Sequence, residues 1–178
     1  MAAKRELAGK QYRHELKYII SEGEHKLLST RIKACLKQDY HASINGGEYF
    51  IRSLYFDDPF DTALWEKSSG VASRDKFRIR IYNLQDDTIK LERKHKEGQF
   101  IKKDSVSLSR QDCDEIIRGN LECLKHNESP FAMQFYGIFK ANHLKPKVLV
   151  DYTREPYVFP AEDVRITFDK NVRTAMRC

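Results

Sequence analysis

Residues 76–82 alternate strictly between polar and apolar side chains. The odd positions hold phenylalanine and isoleucine, and the even positions hold Lys76, Arg78, Arg80 and Tyr82. A period of two predicts a β-strand with one face buried in a core. Cations two positions apart on a strand lie about 7 Å from each other and repel by about 2–3 kcal/mol at an effective dielectric constant near 20. Such a face is tolerated in open water or where an anion binds.

Similar patterns predict strands along the rest of the chain, at 12–20, 48–57, 88–96, 99–108, 147–159 and 164–169. Pro156 is expected to interrupt the strand at 147–159. The cations on the charged strand faces are Lys17, Arg78, Arg80, Lys90, Lys94, Lys102, Arg154 and Arg165. The carboxylates interspersed among them are Glu15, Glu92 and Asp169. Arg93 has the opposite strand parity to Lys94, so we expect it to point away from this face.

Helix signals separate several of these strands. The predicted helices begin near Ser21, Asp58, Ser109 and Ser129. Ser21 and Glu24 form a capping box, which is typical of a helix start. In the short helix after Asp58, we expect Trp65 to pack against the sheet. Hairpin-forming strands with helices inserted between them predict an α+β fold with an antiparallel sheet.

A sheet closed into a barrel could bring the charged faces together around a lumen. Many cations with a few carboxylates suit phosphoryl chemistry, because Arg and Lys bind phosphate oxygens and carboxylates can hold a divalent metal. The sequence contains neither a P-loop nor a GxGxxG motif, so side chains would have to bind the nucleotide. The alternative that the pattern leaves open is a plain basic surface.

Length and composition narrow the class of protein. The chain has 178 residues, enough for one domain with a sizeable core, and a net charge of +6, which favours an anionic partner. Its four cysteines are scattered, which is typical of reduced thiols in a cytoplasmic protein. No apolar run is long enough to span a membrane. Residues 1–11 are expected to be a flexible arm, and 12–178 a single domain.

Five motifs in order make the chain similar to a known family. They are Arg13-His-Glu-Leu-Lys-Tyr18, Phe77-Arg-Ile-Arg-Ile-Tyr82, Ile89-Lys-Leu-Glu-Arg-Lys94, Asp151-Tyr-Thr-Arg154 and Val164-Arg-Ile-Thr-Phe-Asp169. Together they resemble VTC domains, the polyphosphate polymerase domains of the vacuolar transporter chaperone complex and their bacterial relatives. The wider superfamily is that of the triphosphate tunnel metalloenzymes, which includes the CYTH proteins.

The resemblance implies an eight-stranded antiparallel tunnel that binds ATP, another triphosphate or polyphosphate, with Mn²⁺ or Mg²⁺. The cations that match the family's phosphate-binding and catalytic positions are Lys17, Arg78, Arg80, Lys94, Arg154 and Arg165. Lys90 and Lys102 are added as phosphate ligands, although Lys103 could take the place of Lys102 after a one-residue slip. Glu15, Glu92 and Asp169 are the candidate metal ligands.

Two departures from the family pattern affect the expected activity. Arg13 stands where the wider superfamily has the first Glu of a Glu-x-Glu-x-Lys motif, which favours polyphosphate binding over hydrolysis. The chain also ends at Cys178, before a final strand whose Glu is a principal metal ligand in the family. We therefore expect a tunnel that is open along one seam and a metal site that is short of one ligand.

Three functions remain open at this point. The first is metal-dependent transfer of the ATP γ-phosphoryl to a polyphosphate chain, with a triphosphate hydrolase of the same fold as a variant. The second is a polyphosphate-binding module without catalysis. The third is nucleic-acid binding, which is not expected because only Tyr82 and Tyr152 offer aromatic rings on the charged faces for base stacking.

Overall fold

The computed structural model describes residues 6–7, 10–159 and 164–176. Its strands are β1 (Glu6–Leu7), β2 (Lys10–Gln11), β3 (Arg13–His14), β4 (Lys37–Gln38), β5 (Tyr49–Asp57), β6 (Ser73–Tyr82), β7 (Gln85–Glu97), β8 (Phe100–Leu108), β9 (Lys145–Phe159) and β10 (Val164–Met176). Its helices are α1 (Glu22–Cys35), α2 (Tyr40–Ser43), α3 (Thr62–Ser68), α4 (Arg110–Arg118) and α5 (Ala132–Ala141), with a 3₁₀ turn at Glu122–Lys125. Much of the predicted arm, residues 1–5 and 8–9, lies outside the described residues.

One antiparallel sheet of eight strands organises the chain. Its order is β10-β9-β5-β6-β7-β8-β3, and β4 pairs with the far end of β9. The predicted α+β class with an antiparallel sheet is confirmed. Within the described residues the sheet does not close, because β3 and β10 lie at opposite ends of the strand order and do not pair.

The first predicted strand is much shorter than the sequence pattern indicates. It was expected over 12–20, but only Arg13 and His14 pair, opposite Ile101 and Phe100 of β8. Antiparallel pairing would place the next residue opposite the turn that joins β7 to β8. Residues 15–20 therefore have no partner strand on that side.

The predicted interruption at Pro156 is wrong, since β9 runs unbroken through it. On one side of β9, the partner changes from β5, which pairs as far as Arg154, to β4, which begins to pair at Tyr157. Pro156 lies where this change occurs, so its missing N–H removes no bond to either strand. Its carbonyl oxygen accepts a hydrogen bond of 3.2 Å from the backbone N–H of Asp39.

The helices after Asp58 and Ser109 differ in how closely they follow the prediction. The helix predicted near Ser109 begins there, with a capping box formed by Ser109 and Asp112, and Gly119 ends it with φ of 94°. The helix after Asp58 begins later, at Thr62, because Asp58 uses its carboxylate to accept hydrogen bonds from the loop. The predicted packing of Trp65 against the sheet is also wrong, since its exposed fraction is 64%.

The main hydrophobic core lies between one face of the sheet and the helices α4 and α5. Phe77 of β6 packs edge-on against Phe135 and Phe139 of α5. We call this side of β5–β8 the helix face. Its apolar residues alternate with the charged ones, which consequently lie on the opposite side of the sheet. Among the described residues, no helix is both long and apolar enough to cross a membrane.

Candidate functional site

Strand register brings the predicted cations onto one side of the sheet. Across β6 and β7, Arg78 lies opposite Glu92, Arg80 opposite Lys90, and Lys76 opposite Lys94. The same alternation continues through β8, β5, β9 and β10. We call this side the cationic face, and it carries Lys76, Arg78, Arg80, Lys90, Lys94, Lys103, Arg154 and Arg165.

Glu92 is the buried centre of this face, with an exposed fraction of 1%. Its Oε2 accepts a hydrogen bond of 2.9 Å from Arg78 Nε, and Arg80 Nη1 lies 3.9 Å away. Its Oε1 receives no well-directed hydrogen bond from the described residues, but the Lys103 ammonium lies against it. Burial alone would raise the pKa of Glu92, but the three cations outweigh it and lower that pKa. The carboxylate is therefore held ionised.

Polar side chains of neighbouring strands hold the two central arginines in place. Arg80 Nη2 donates a hydrogen bond of 2.8 Å to the Tyr152 hydroxyl, and Arg80 Nε donates one of 3.2 Å to Ser53. Arg78 Nη1 donates to the Tyr55 hydroxyl at 3.0 Å. Tyr152 was expected on a charged face only as a possible base-stacking ring, and Ser53 and Tyr55 had no predicted role. Their alternation on β5 is the one sequence signal that places Ser53 and Tyr55 on this face.

Arg154 joins this group from β9. Its guanidinium carbon lies 5.3 Å from the ring centroid of Tyr152, and its Nε and Nη2 each donate a hydrogen bond of 2.7 Å to Asp169. Burial disfavours the charge on Arg154, but the Asp169 carboxylate offsets it and raises the pKa of Arg154. Arg165 is exposed and pairs separately with Asp39 at 2.6 Å.

Lys94 and Lys17 meet at the carboxylate of Glu15. Lys94 Nζ lies 2.6 Å from Glu15 Oε2, and Lys17 Nζ lies 3.5 Å from Oε1. Burial would raise the pKa of Glu15, but Lys94 and then Lys17 lower it. Lys17 is largely exposed, so of the two lysines Lys94 is the one fixed within the sheet.

The placement of Lys102 on the cationic face requires correction. Lys102 lies on the helix face, 2.7 Å from Asp104 and 5.5 Å from the ring centroid of Phe131. Register pairs Lys103 with Lys94, so Lys103 is the lysine of β8 that reaches Glu92. Arg93 also contacts Asp104, on the side away from the cationic face, as its strand parity predicts.

The three predicted metal ligands do not form one site. Glu15 is held by Lys94, Glu92 by Arg78, and Asp169 by Arg154. Within the described part of the chain, no group of three or more His, Cys, Asp or Glu side chains is arranged to hold a metal ion. As they are arranged, these carboxylates neutralise arginine and lysine and do not fit the divalent metal that the family resemblance implies.

A family model supports the resemblance given by the motifs. The model of the VTC domain matches residues 12–177. No curated protein sequence matches the chain.

Two solved structures share the fold. One is a candidate adenylate cyclase from Bacillus halodurans, with a TM-score of 0.56, 16% identity, and coverage of 90% of this chain and 71% of that chain. The other is a candidate adenylyl cyclase from Hippeastrum described as having a dominant triphosphatase activity, with a TM-score of 0.51, 14% identity, and coverage of 90% and 70%. At such identities the likeness concerns the fold alone. The match of the family model over nearly the whole chain is the stronger finding, and the chain belongs to the VTC domain family.

Proposed function

We propose that the cationic face binds ATP and polyphosphate and transfers the γ-phosphoryl of ATP to the end of the polyphosphate chain. The observation that carries this proposal is the convergence of Arg78, Arg80 and Arg154 on one side of the sheet, where Arg80 and Arg154 both contact Tyr152 and Arg78 contacts Tyr55. Two strands that are distant in sequence, β6 and β9, supply these guanidinium groups. One guanidinium group can bind two phosphate oxygens at once. A row of guanidinium groups therefore suits a chain of phosphates.

The arginines are held by hydrogen bonds before any ligand arrives. Tyr55 and Ser53 fix Arg78 and Arg80 through the contacts described above. Preorganised donors of this kind stabilise the charge that develops on transferring phosphoryl oxygens without reorganisation during the reaction. Their role is to bind the γ-phosphate of ATP and the terminal phosphate of the polyphosphate chain, to align these two groups and to neutralise their negative charge.

The ionised state of Glu15 and Glu92 favours phosphoryl transfer to a phosphate over transfer to water. A terminal phosphate oxygen is already ionised and needs no general base, whereas water must be oriented and lose a proton. The cations that contact Glu15 and Glu92 lower the pKa values of both, which makes them poor proton acceptors. This supports a phosphotransferase. Hydrolysis of a triphosphate stays the rival activity within the same fold.

A polyphosphate-binding module without catalysis is the second candidate. It is favoured by the sheet that stays open between β10 and β3 in the described residues, and by the absence there of a carboxylate cluster that could hold a metal. Such a module would use the same arginines for affinity alone.

The test is incubation of the protein with ATP, tripolyphosphate and Mn²⁺ or Mg²⁺, followed by separation of the products on a gel. A ladder of lengthening polyphosphate that disappears in Arg80→Met but persists in Arg52→Met supports transfer. Arg52 is a suitable control because it pairs with Asp151 on the other side of the sheet. Free phosphate without a ladder identifies a hydrolase, and binding of tripolyphosphate without any product identifies a binding module.

A further inference from the structure

Lys76 lies among several other cations of the cationic face. It is half-buried on β6, directly opposite Lys94 of β7. Arg74 and Arg78 flank it on its own strand, and Arg74 in turn lies opposite Lys96. On an ordinary sheet, opposite positions of like charge are destabilising.

Lys76 differs from three other cations of this face in having no acidic partner among the described residues. Arg78 pairs with Glu92, Arg154 with Asp169 and Lys94 with Glu15. In the described part of the chain, no carboxylate lies within ion-pairing distance of Lys76.

The acidic groups near Lys76 on the adjoining elements are already occupied. Glu15, on the segment after β3, is held between Lys94 and Lys17. Asp57, at the end of β5, accepts backbone hydrogen bonds from Ala63 and Leu64 of α3. Asp75, next to Lys76 on β6, points to the other side and binds His95.

Cations of three other segments, as well as Arg74 of its own strand, lower the pKa of Lys76. Burial lowers its pKa most, and then Lys67 of α3, Arg74, Lys17 and Lys94 lower it further, to about 8. In the free protein near pH 8, a substantial fraction of Lys76 is thus the neutral amine. An anion bound among these cations would raise the pKa of Lys76 again and favour its charged form.

We propose that Lys76, together with Arg74 and Lys94, forms the subsite for the terminal phosphate of the bound chain, and that ligand binding makes Lys76 take up a proton from solvent. This inference rests on the proposed phosphate ligand. A terminal phosphate has a second ionisation near pH 6 and is dianionic at pH 8, so it carries more charge than an internal phosphate. This part of the cationic face, where neither Lys76 nor Arg74 has an acidic partner among the described residues, suits that end of the chain.

Isothermal titration calorimetry of tripolyphosphate into the whole chain tests the proposal. Measurements in Tris and in HEPES, whose ionisation enthalpies differ, give the number of protons taken up on binding. At pH 8 we expect an uptake of about half a proton, because a group with a pKa near 8 is then about half neutral. At pH 7, where Lys76 and the terminal phosphate are both mostly ionised, we expect a net exchange close to zero.

Two variants distinguish the positive charge of Lys76 from its uptake of a proton. Lys76→Arg keeps a permanent charge, so it should bind at pH 8 with wild-type affinity but without the uptake. Lys76→Met should lose the uptake and bind about 5–10-fold more weakly. Lys140→Met, which removes one exposed charge from α5, is the control and should retain the uptake.

Binding without any difference between the two buffers at pH 8, or an unchanged uptake in Lys76→Arg, would overturn the role of Lys76 and leave the proposed function intact. No binding of tripolyphosphate in either buffer would overturn both.

Discussion

Arg80 Nη2 donates a hydrogen bond of 2.8 Å to the hydroxyl of Tyr152, a residue 72 positions further along the chain. The bond links β6 to β9 across β5, on the side of the sheet away from the main core. Arg80 is almost fully buried, with an exposed fraction of 5%, yet its nearest carboxylate atom is 3.9 Å away. A buried guanidinium held mainly by neutral hydroxyl groups keeps its charge available for an anion.

Replacement of Arg80 should therefore affect ligand binding more than folding. We expect Arg80→Met to lower the affinity for tripolyphosphate by about 30–100-fold, which corresponds to about 2–3 kcal/mol for a lost charge-assisted contact. Glu92 retains Arg78 and Lys103 as partners in this variant, so the protein should remain folded. Titration calorimetry measures the affinity, and circular dichroism checks the fold.

Arg52→Met is the matched control for this experiment. Arg52 belongs to the neighbouring strand β5 and pairs with Asp151 on the opposite side of the sheet, at 2.7 Å. Its loss should change the affinity by less than about twofold, since a distant surface charge contributes little at moderate ionic strength. Equal losses in the two variants would mean that tripolyphosphate responds only to total charge.

The adjacent lysines of β8 provide a test of strand register. Lys103 lies on the cationic face and Lys102 on the helix face. We expect Lys103→Met to weaken tripolyphosphate binding by about tenfold and Lys102→Met to leave it nearly unchanged. Titration calorimetry of both variants measures the difference. The opposite order would show that β8 is displaced by one residue relative to β7.

Lys76 should make stability depend on pH in the alkaline range. Its pKa is about 8 in the folded chain against an ordinary value of 10.5, so between these values the unfolded state binds more protons and stability rises with pH. Below pH 8, its charge destabilises the folded state. We expect Lys76→Met to raise the free energy of unfolding at pH 7 by about 1–2 kcal/mol, after allowance for partial exposure.

Urea unfolding of wild type and Lys76→Met at pH 7 and at pH 10 measures this effect. The advantage of the variant should shrink at the higher pH, where the folded wild-type protein has already lost the proton. A constant difference at both values would show that packing, not charge, separates the two proteins.

Glu155 should make stability depend on pH in the acid range. It is buried and accepts hydrogen bonds from Ser29 at 2.7 Å and from Tyr157, and it lies 2.9 Å from His25. Burial would raise its pKa, but the hydrogen bonds from Tyr157, Ser29 and His25 and the charge of Lys33 lower it to about 2. These contacts also attach α1 to β9.

The contribution of Glu155 is present above the ordinary pKa of a glutamate and is lost as the pH falls towards 2. We expect Glu155→Gln to lower the free energy of unfolding by about 2–4 kcal/mol at pH 7, with the difference narrowing in acid. Urea unfolding at pH 7, 4.5 and 3 measures it. The exposed pair of Glu122 and Lys125 supplies the control, and Glu122→Gln should behave like wild type.

Local sequence patterns correctly predicted the strands and helices whose formation depends on neighbouring residues. The alternation at 76–82 identified β6 and its two faces, and the capping residues at Ser21 and Ser109 located α1 and α4. The choice between Lys102 and Lys103 could not be made from the sequence, because both candidates are lysines and only pairing with β7 fixes the register.

Features that depend on distant partners were predicted less well. The strand at 12–20 stops after His14 because β8 offers no residue beyond Phe100. Strand β9 continues through Pro156 because its pairing partner on one side changes there from β5 to β4. In the same way, the ion pairs that occupy Glu15 and Glu92 join separate strands, and no spacing within either strand could show that these carboxylates are neutralised.

Thermal unfolding at low salt, with and without millimolar tripolyphosphate, tests most directly whether the cationic face binds phosphate chains. A ligand at about 100 times its dissociation constant stabilises the folded state by about 2.7 kcal/mol, which for a chain of this size raises the midpoint by roughly 5–10 °C. We expect that rise in the wild-type protein and in Arg52→Met, and its near disappearance in a variant with both Arg78→Met and Arg80→Met. An unchanged midpoint in the wild type, or an equal rise in the double variant, would contradict phosphate binding by this face.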